Sequence, residues 1–499
     1  MRLRCAFSKS DTYIQEWSSM KFNQYLKQSP LKMLNSQAIG WIITLACSFT
    51  TWLLVHNSSL SLANSSFLII FAAALTLWGL RLVPESVPAL LIILVTLVVD
   101  IKEEPILLSG FTSDSFFLVL SLFGIGFVLI KSRLFYRLSL HILYYLPPKQ
   151  SILQKVLFGL GALMTPIISV QSARVTLMAP LLDDLLVSSG INPQSTTANA
   201  LASSSFNGCI LFSTIFLTGK SSNSVLYAML PMQNAETNGW LFWLLAASFP
   251  GLLLTGLFFL MQFLFFKQKN TLHINKLRIK KELNTLNRLS FEEWTALTSV
   301  ITLSVGIFLA SYHHFSNLWI CMTVYFVLFC NGVLGKKEFK NNINWTFLFY
   351  FGAIIGIMRH LQSTGIDLWL GAHLNWLIEL SHGNIVLLIV FIYLVSWLCT
   401  LVLGTTNAPA LLFTILLPIT QPTGINNWIV AFTILMATEA WVFPYQSNYY
   451  LCFEKLLNKR KNVQLDSLLC LNAWLVPIKL GILLLSLPFW YLLGIMPSA

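Results

Sequence analysis

Charge is scarce in this 499-residue chain. Charged side chains make up 10% of it, and acids are the rarer sign, 19 Asp and Glu against 31 Lys and Arg. A soluble globular chain carries about 25% charged residues, so a set of water-soluble domains is excluded. The chain has no C-x-x-C pair, and its eight cysteines lie almost all within apolar runs. They read as small core residues, not as a disulfide or metal framework. No H-E-x-x-H, G-x-S-x-G or paired-carboxylate motif is present, so nothing supports a membrane enzyme and no cofactor is expected beyond a coupled Na+ or H+. No cleavable signal peptide is visible: a polar, basic leader precedes a first apolar run that starts near Ile39.

What remains is apolar. The chain is 56% hydrophobic with a mean hydropathy of +0.72. Its runs are too long and too continuous for barrel strands, which predicts an all-α polytopic membrane protein. About eleven transmembrane helices are expected, near 38–56, 64–82, 84–101, 114–131, 198–230, 239–266, 295–312, 317–333, 345–361, 428–452 and 471–495. The net charge of +12 sits in short loops and follows the positive-inside rule, so the lipid bilayer, not a nucleic acid, is the expected partner. The basic clusters share the side of the leader only if 151–188 and 384–420 each return to the side they entered. That bias predicts a cytoplasmic N-terminus and an outside C-terminus. The expected organisation is a cytoplasmic leader (1–37), a first transmembrane helix (38–60), a first repeat (61–267) with a hairpin at 151–188, a cytoplasmic linker (268–294), and a second repeat (295–499) with a hairpin at 384–420.

Two islands of small polar residues interrupt the apolar runs, in Thr165 to Pro180 and Gly404 to Pro418. Loose backbone at membrane depth must be buried in protein or line a wet cavity. The arms of the first island are about 15 residues each, too short to cross a hydrocarbon core of roughly 30 Å, so a re-entrant hairpin is predicted. Two later spans are also broken, by Leu217 to Asn223 and by Phe443 to Asn448. The halves repeat weakly: Phe123 to Lys131 matches Phe351 to Arg359, and Ser221 to Asn223 matches Gln446 to Asn448. With the hairpin discounted, each half crosses an odd number of times, so the second copy is inverted, a pattern of secondary transporters.

At these residues the chain resembles the divalent anion/sodium symporters of the ion-transporter superfamily. Ala173-Arg174 with Pro180 fits the first hairpin of that family, and Thr218, Gly219 and Asn223 fit its T-G-x-x-x-N unit. Gly110 to Leu120 and Ile343 to Gly352 look like its framework, and the similarity spans about residues 60–495. The resemblance implies an elevator-type carrier in the plasma (inner) membrane, a homodimer, and a dicarboxylate, citrate or sulfate as substrate. It also implies a sodium ion near the hairpin tips and breaks, for which Ser172, Gly219, Asn407 and Pro444 are the candidates. Three positions depart from the pattern. Val170-Gln171-Ser172 occupies the Ser-Asn-Thr slot. Lys220 stands where the family has Thr, and an ammonium there would repel sodium and could replace its charge. The second tip, at Thr405, Thr406 and Asn407, lies about three residues further from its Pro than the family spacing, which would instead select Ala408-Pro409-Ala410.

The substrate-binding candidates are Gln171, Ser172, Arg174, Lys220, Ser222, Asn223, Thr405, Thr406, Asn407, Ser447 and Asn448. Arg174 would fork onto a carboxylate or sulfate, or else pair with Asp183, Asp184 or Glu439, or snorkel. Lys220 would be a tethered cation for an anion, or else cap the carbonyls of its broken helix. Ser222, Asn223, Ser447 and Asn448 would donate to the anion at half-helix N-termini, or else bond helix to helix. Glu439 would carry a coupled proton, or balance Lys220 or Arg174. Lys479 reads as structural or snorkelling. The function expected is secondary active transport of a small divalent anion, coupled to sodium or working as an exchanger or with protons. The alternative is a transport-deficient membrane sensor that keeps the fold.

Overall fold

The computed structural model describes residues 30–56, 60–80, 82–100, 104–230, 239–266, 276–286, 288–308, 316–373, 384–458, 463 and 465–496. Most of the leader, Lys102, the basic turn at 459–461 and the side chain of Asn407 lie outside them. Every regular element among the described residues is helical. Residues Met1–Val83 and Pro84–Ala499 form two compact units.

The first unit contains α1 (Pro30–His56) and α2 (Leu62–Gly79). The second opens with α3 (Ser86–Val99), the short α4 (Glu104–Leu108) and α5 (Asp114–Lys131). A cytoplasmic loop was expected after α5. The chain instead forms α6 (Leu134–Tyr145), whose buried Phe135, Leu140 and Leu143 give it an apolar face that short windows of hydropathy miss. Next come α7 (Gln150–Met164), α8 (Gln171–Ser188), α9 (Thr196–Ile210), α10 (Ser221–Met229) and α11 (Trp240–Phe265). The linker holds α12 (Lys276–Thr285).

The later half is helical as well. It has α13 (Phe291–Phe308), α14 (Asn317–Cys330), α15 (Lys336–Asn342), α16 (Trp345–Ser363) and α17 (Ile366–His373). Next come α18 (Ile385–Thr420), which is bent at Gly404, then α19 (Asn427–Thr438) and α20 (Asn448–Asn458) on either side of a break, and last α21 (Asp466–Leu492). Among the described residues, six segments are long and apolar enough to cross a membrane: Gln37–His56, Leu62–Gly79, Asp114–Lys131, Trp240–Phe265, Ile385–Thr406 and Asp466–Leu492. Of the other expected spans, α3 and α14 are shorter, at 14 residues each, and those at 198–230 and 428–452 are broken, so these depend on their neighbours for burial. Leu252, Phe263 and Leu485 are exposed on such spans, as a lipid-facing surface requires.

Local sequence sets the helix starts. Ser113, Ser195, Asn344, Asn384 and Asn426 each accept a backbone N–H of the first turn they precede, and a cap of this kind is worth about 1 kcal/mol. Glycine sets the closest packing. A Cβ at Gly161 would meet the Cys209 nitrogen at 2.5 Å, and one at Gly208 would meet the Phe158 carbonyl at 2.4 Å. α7 and α9 therefore touch backbone to backbone, as small residues permit between membrane helices.

Candidate functional site

The polar breaks are all helix starts. After α7 the chain turns through residues 165–170 and re-enters helix at Gln171. After α9 it unwinds through residues 211–220, with a tight turn at Leu217–Gly219, and re-enters at Ser221. α19 gives way to the turn Pro444–Gln446 and α20 begins at Asn448. In α18 one residue makes the break: Gly404, at φ 73° and ψ 174°, is non-helical and Thr405 starts the second arm. That fixes the bend immediately before Thr405-Thr406-Asn407, not at Ala408-Pro409-Ala410. Each of the four starts presents N–H groups without intrahelical partners and the positive end of a dipole.

The first hairpin and the first break are stitched together by Arg174, which is fully buried. Its Nε donates to the Cys209 carbonyl at 2.8 Å. Its Nη1 donates to the carbonyls of Ile168 at 2.6 Å, Gly219 at 2.7 Å and Thr165 at 3.3 Å. Its Nη2 donates to Ser213 Oγ at 2.7 Å. Neither an acid nor the membrane surface takes this guanidinium: it gathers carbonyls that the two unwound segments cannot use in helix. Thr218 adds a bond to the Pro166 carbonyl at 2.6 Å.

A second cluster centres on Glu439, the only acid between Trp428 and Phe453. Its Oε2 is 2.5 Å from Lys220 Nζ, with both side chains almost fully buried. Its Oε1 accepts from Gln171 Nε2 at 2.6 Å and from the Tyr449 hydroxyl at 2.8 Å. Its backbone carbonyl accepts from Lys479 Nζ at 3.0 Å. Gln171 also donates to Ser213 Oγ at 3.1 Å, which ties the two clusters together. The first arm of α18 joins through Gln446 Nε2, 3.0 Å from Thr400 Oγ1, and through the Tyr445 hydroxyl, 3.2 Å from the Leu401 carbonyl.

The sequence candidates divide accordingly. Gln171, Arg174 and Lys220 meet at one centre. Ser222 and Thr405 are buried; the hydroxyls of Ser222 and Ser169 have no hydrogen-bond partner among the described residues, and Thr405 lies beside the Tyr449 hydroxyl. Asn223 spends its amide N–H groups on the carbonyls of Ser213 at 2.6 Å and Phe216 at 2.9 Å. Only its Oδ1 is left over, and that atom accepts and cannot donate to an anion. Ser447 is buried and caps α20 by accepting from the Tyr450 N–H at 3.1 Å. Ser172 and Thr406 are half-buried, Asn448 is exposed, and Pro444 opens its tight turn. The Gly219 carbonyl, expected to face sodium, is already held by Arg174.

Tyr449, Ser213 and Gln446 were not among the candidates. Gln446 stood in the Q-S-N match, where one more residue of that triplet would have included it. Tyr449 and Ser213 carried no signal, because hydroxyls among apolar residues read as ordinary helix contacts.

The transmembrane region of the sodium:sulfate symporters matches residues 35–496 of this chain. An uncharacterized transporter of Haemophilus influenzae is 26% identical over 372 residues, which cover 71% of this chain and 77% of that protein. Among solved structures, MtrF of Neisseria gonorrhoeae, described as illuminating a class of antimetabolite efflux pumps, is similar with a TM-score of 0.50 at 14% identity. The match covers 77% of this chain and 83% of that one. The YdaH transporter of Alcanivorax borkumensis follows with a TM-score of 0.47 at 14% identity, over 78% and 89%. With its helices and polar breaks placed as described, the chain belongs to the sodium:sulfate symporter family and is a polytopic membrane transporter.

Proposed function

We propose that this protein is a secondary carrier of a small divalent anion, a dicarboxylate or sulfate, moved by alternating access. The charge balance of the buried centre carries the reading. Arg174, Lys220 and Lys479 are 0%, 3% and 2% exposed, and Glu439 is the acid bonded among them. Three buried cations share this centre with one carboxylate, an excess of two positive charges: Lys220 pairs with the carboxylate, Lys479 bonds its backbone carbonyl, and Arg174 bonds backbone carbonyls nearby. Buried charge without a partner is expensive, and a dianion is the ligand that cancels this excess. The hydroxyls of Ser169 and Ser222, unpaired among the described residues, can turn their protons towards it. The four helix starts add positive potential of the kind that favours anions.

The same balance argues against sodium as the coupling ion. A further cation would enter a region already in positive excess, and one reaching the Gly219 carbonyl would share that oxygen with the Arg174 guanidinium. By family likeness the protein works as an elevator-type homodimer in the plasma membrane, and the bias of its basic loops gives it a cytoplasmic N-terminus. Proteoliposomes containing the purified protein test the reading. Uptake of labelled succinate or sulfate is expected, with equal rates in sodium and in potassium. Absence of flux for every dianion tried, with binding retained, would favour a sensor over a carrier. Flux that vanishes without sodium would overturn the uncoupling from sodium.

A further inference from the structure

The groups best placed to hold an anion are already holding one. Gln171 comes from the start of α8, Lys220 from the residue before α10, and Tyr449 from the start of α20. All three point their donors at the Glu439 carboxylate, at 2.6, 2.5 and 2.8 Å. These elements come from both halves of the chain, so a single carboxylate closes the centre across the repeat. A structural ion pair needs one partner. This carboxylate has three, and it draws them from the same helix starts that make the centre suited to an anion.

We propose that Glu439 is a tethered stand-in for the substrate, occupying the anion position until a dianion displaces it. The proposal rests on the dianion-carrier reading and names how the unloaded site is kept closed. Removing a carboxylate from a buried ammonium without replacement is strongly unfavourable. Lys220 is therefore released only as another anion arrives. Lys479 supplies the place for the displaced group: its ammonium lies 3.0 Å from the Glu439 backbone carbonyl, within reach of the same side chain after a rotamer change. The exchange passes one carboxylate from Lys220 towards Lys479 as the substrate takes Lys220, Gln171 and Tyr449. No covalent bond changes.

Two consequences follow for transport. The stand-in competes with substrate, so it lowers apparent affinity by the fraction of carriers in which it occupies the site. It also lowers the positive charge of the unloaded centre, which eases the return of the empty carrier. Removing its charge should strengthen binding and hinder that return.

The experiment compares natural protein and Glu439→Gln in proteoliposomes, using labelled succinate and labelled sulfate. Exchange is measured with the same unlabelled anion inside, and net uptake with no anion inside. The expected result is half-saturation at an about tenfold lower concentration, the gain for a stand-in that fills roughly nine sites in ten, together with a fall in the ratio of net uptake to exchange. Weaker or unchanged binding with an unchanged ratio overturns the stand-in while leaving the carrier reading intact. Neither flux nor thermal stabilisation by either anion in the natural protein overturns both. Glu439→Asp, which keeps the charge and shortens its reach, is expected to move both readouts the same way by a smaller factor. It decides the question if the Gln variant does not fold, and no movement in it overturns the proposal.

Discussion

Arg174 and Gly219 are joined across the two polar breaks of the first half, by a 2.7 Å bond from Nη1 to the glycine carbonyl. The carbonyl belongs to a segment that has left helix, so nothing in its own helix satisfies it. Cys209, Ile168 and Thr165 offer carbonyls to the same guanidinium. Arg174 is thus a fastener for unwound backbone as well as a source of positive charge. Arg174→Gln should lower stability by about 3 kcal/mol or more, since several buried carbonyls lose a charged donor at once. Arg174→Lys should recover little of it, because an ammonium lacks the planar fork that reaches several carbonyls. Thermal unfolding of the detergent-purified variants checks both.

Lys220 and Glu439 make a pair whose halves are worth less apart than together. Lys220→Met alone leaves a buried carboxylate with neutral donors only, and the expected loss is about 3–5 kcal/mol. Lys220→Met combined with Glu439→Gln removes both charges and should restore most of that stability. A double-mutant cycle on unfolding midpoints measures the coupling. Additive losses would show that the two side chains do not sense each other.

The positions of the four breaks were legible because polar residues are rare in an apolar chain, and each rare cluster marks where helix is interrupted. The expected span at 114–131 coincides with α5 (Asp114–Lys131). The partners inside the centre were much less legible. Arg174 was weighed against Asp183, Asp184 and Glu439, yet it bonds backbone carbonyls, and a carbonyl has no letter in a sequence. Glu439 was noted as a balance for Lys220, but its sharing among Gln171, Lys220 and Tyr449 depends on residues 268 and 219 positions apart being folded together. The missed α6 has a related cause. Its apolar face packs on the protein, so its hydropathy is that of an amphipathic surface helix and not of a span.

The start of α13 carries a pH-sensitive fastening. Ser290 and Glu293 form a reciprocal cap at the start of α13, with the Ser290 N–H 2.8 Å from Glu293 Oε2 and the Glu293 N–H 3.1 Å from Ser290 Oγ. Arg137 of α6 adds bonds of 2.6 and 3.0 Å to the same carboxylate. Burial alone would push the Glu293 carboxyl up, but the bonds from Arg137 and Ser290 outweigh it and hold it below the usual carboxylate range. Its folded value is then lower than its unfolded one. The stabilisation is complete above the unfolded value and is lost as pH falls through the folded one, in the range below about pH 4. Glu293→Gln should lower stability at neutral pH and flatten this acid loss, read from unfolding midpoints between neutral and acid pH. An equally steep loss in the variant would place the titrating group elsewhere.

Gly404 carries the sharpest backbone demand in the second hairpin. At φ 73° and ψ 174° it lies in a region essentially reserved for glycine, where any side chain meets its own backbone. Everything after it depends on that one bend, since Thr405 begins the second arm immediately and the hydroxyl of Thr405 is buried beside the centre. Gly404→Ala should therefore cost about 1–3 kcal/mol. Relief of that strain would straighten the bend and move Thr405. Transport should fall more than stability does, because the strain sits at the tip and most of the apolar packing lies elsewhere. Gly256→Ala is the control: a Cβ there meets nothing within 4 Å. It should leave transport unchanged and stability slightly raised, as alanine is favoured over glycine inside a helix. Equal transport by the two variants would show that the bend at Gly404 is not what positions the second tip.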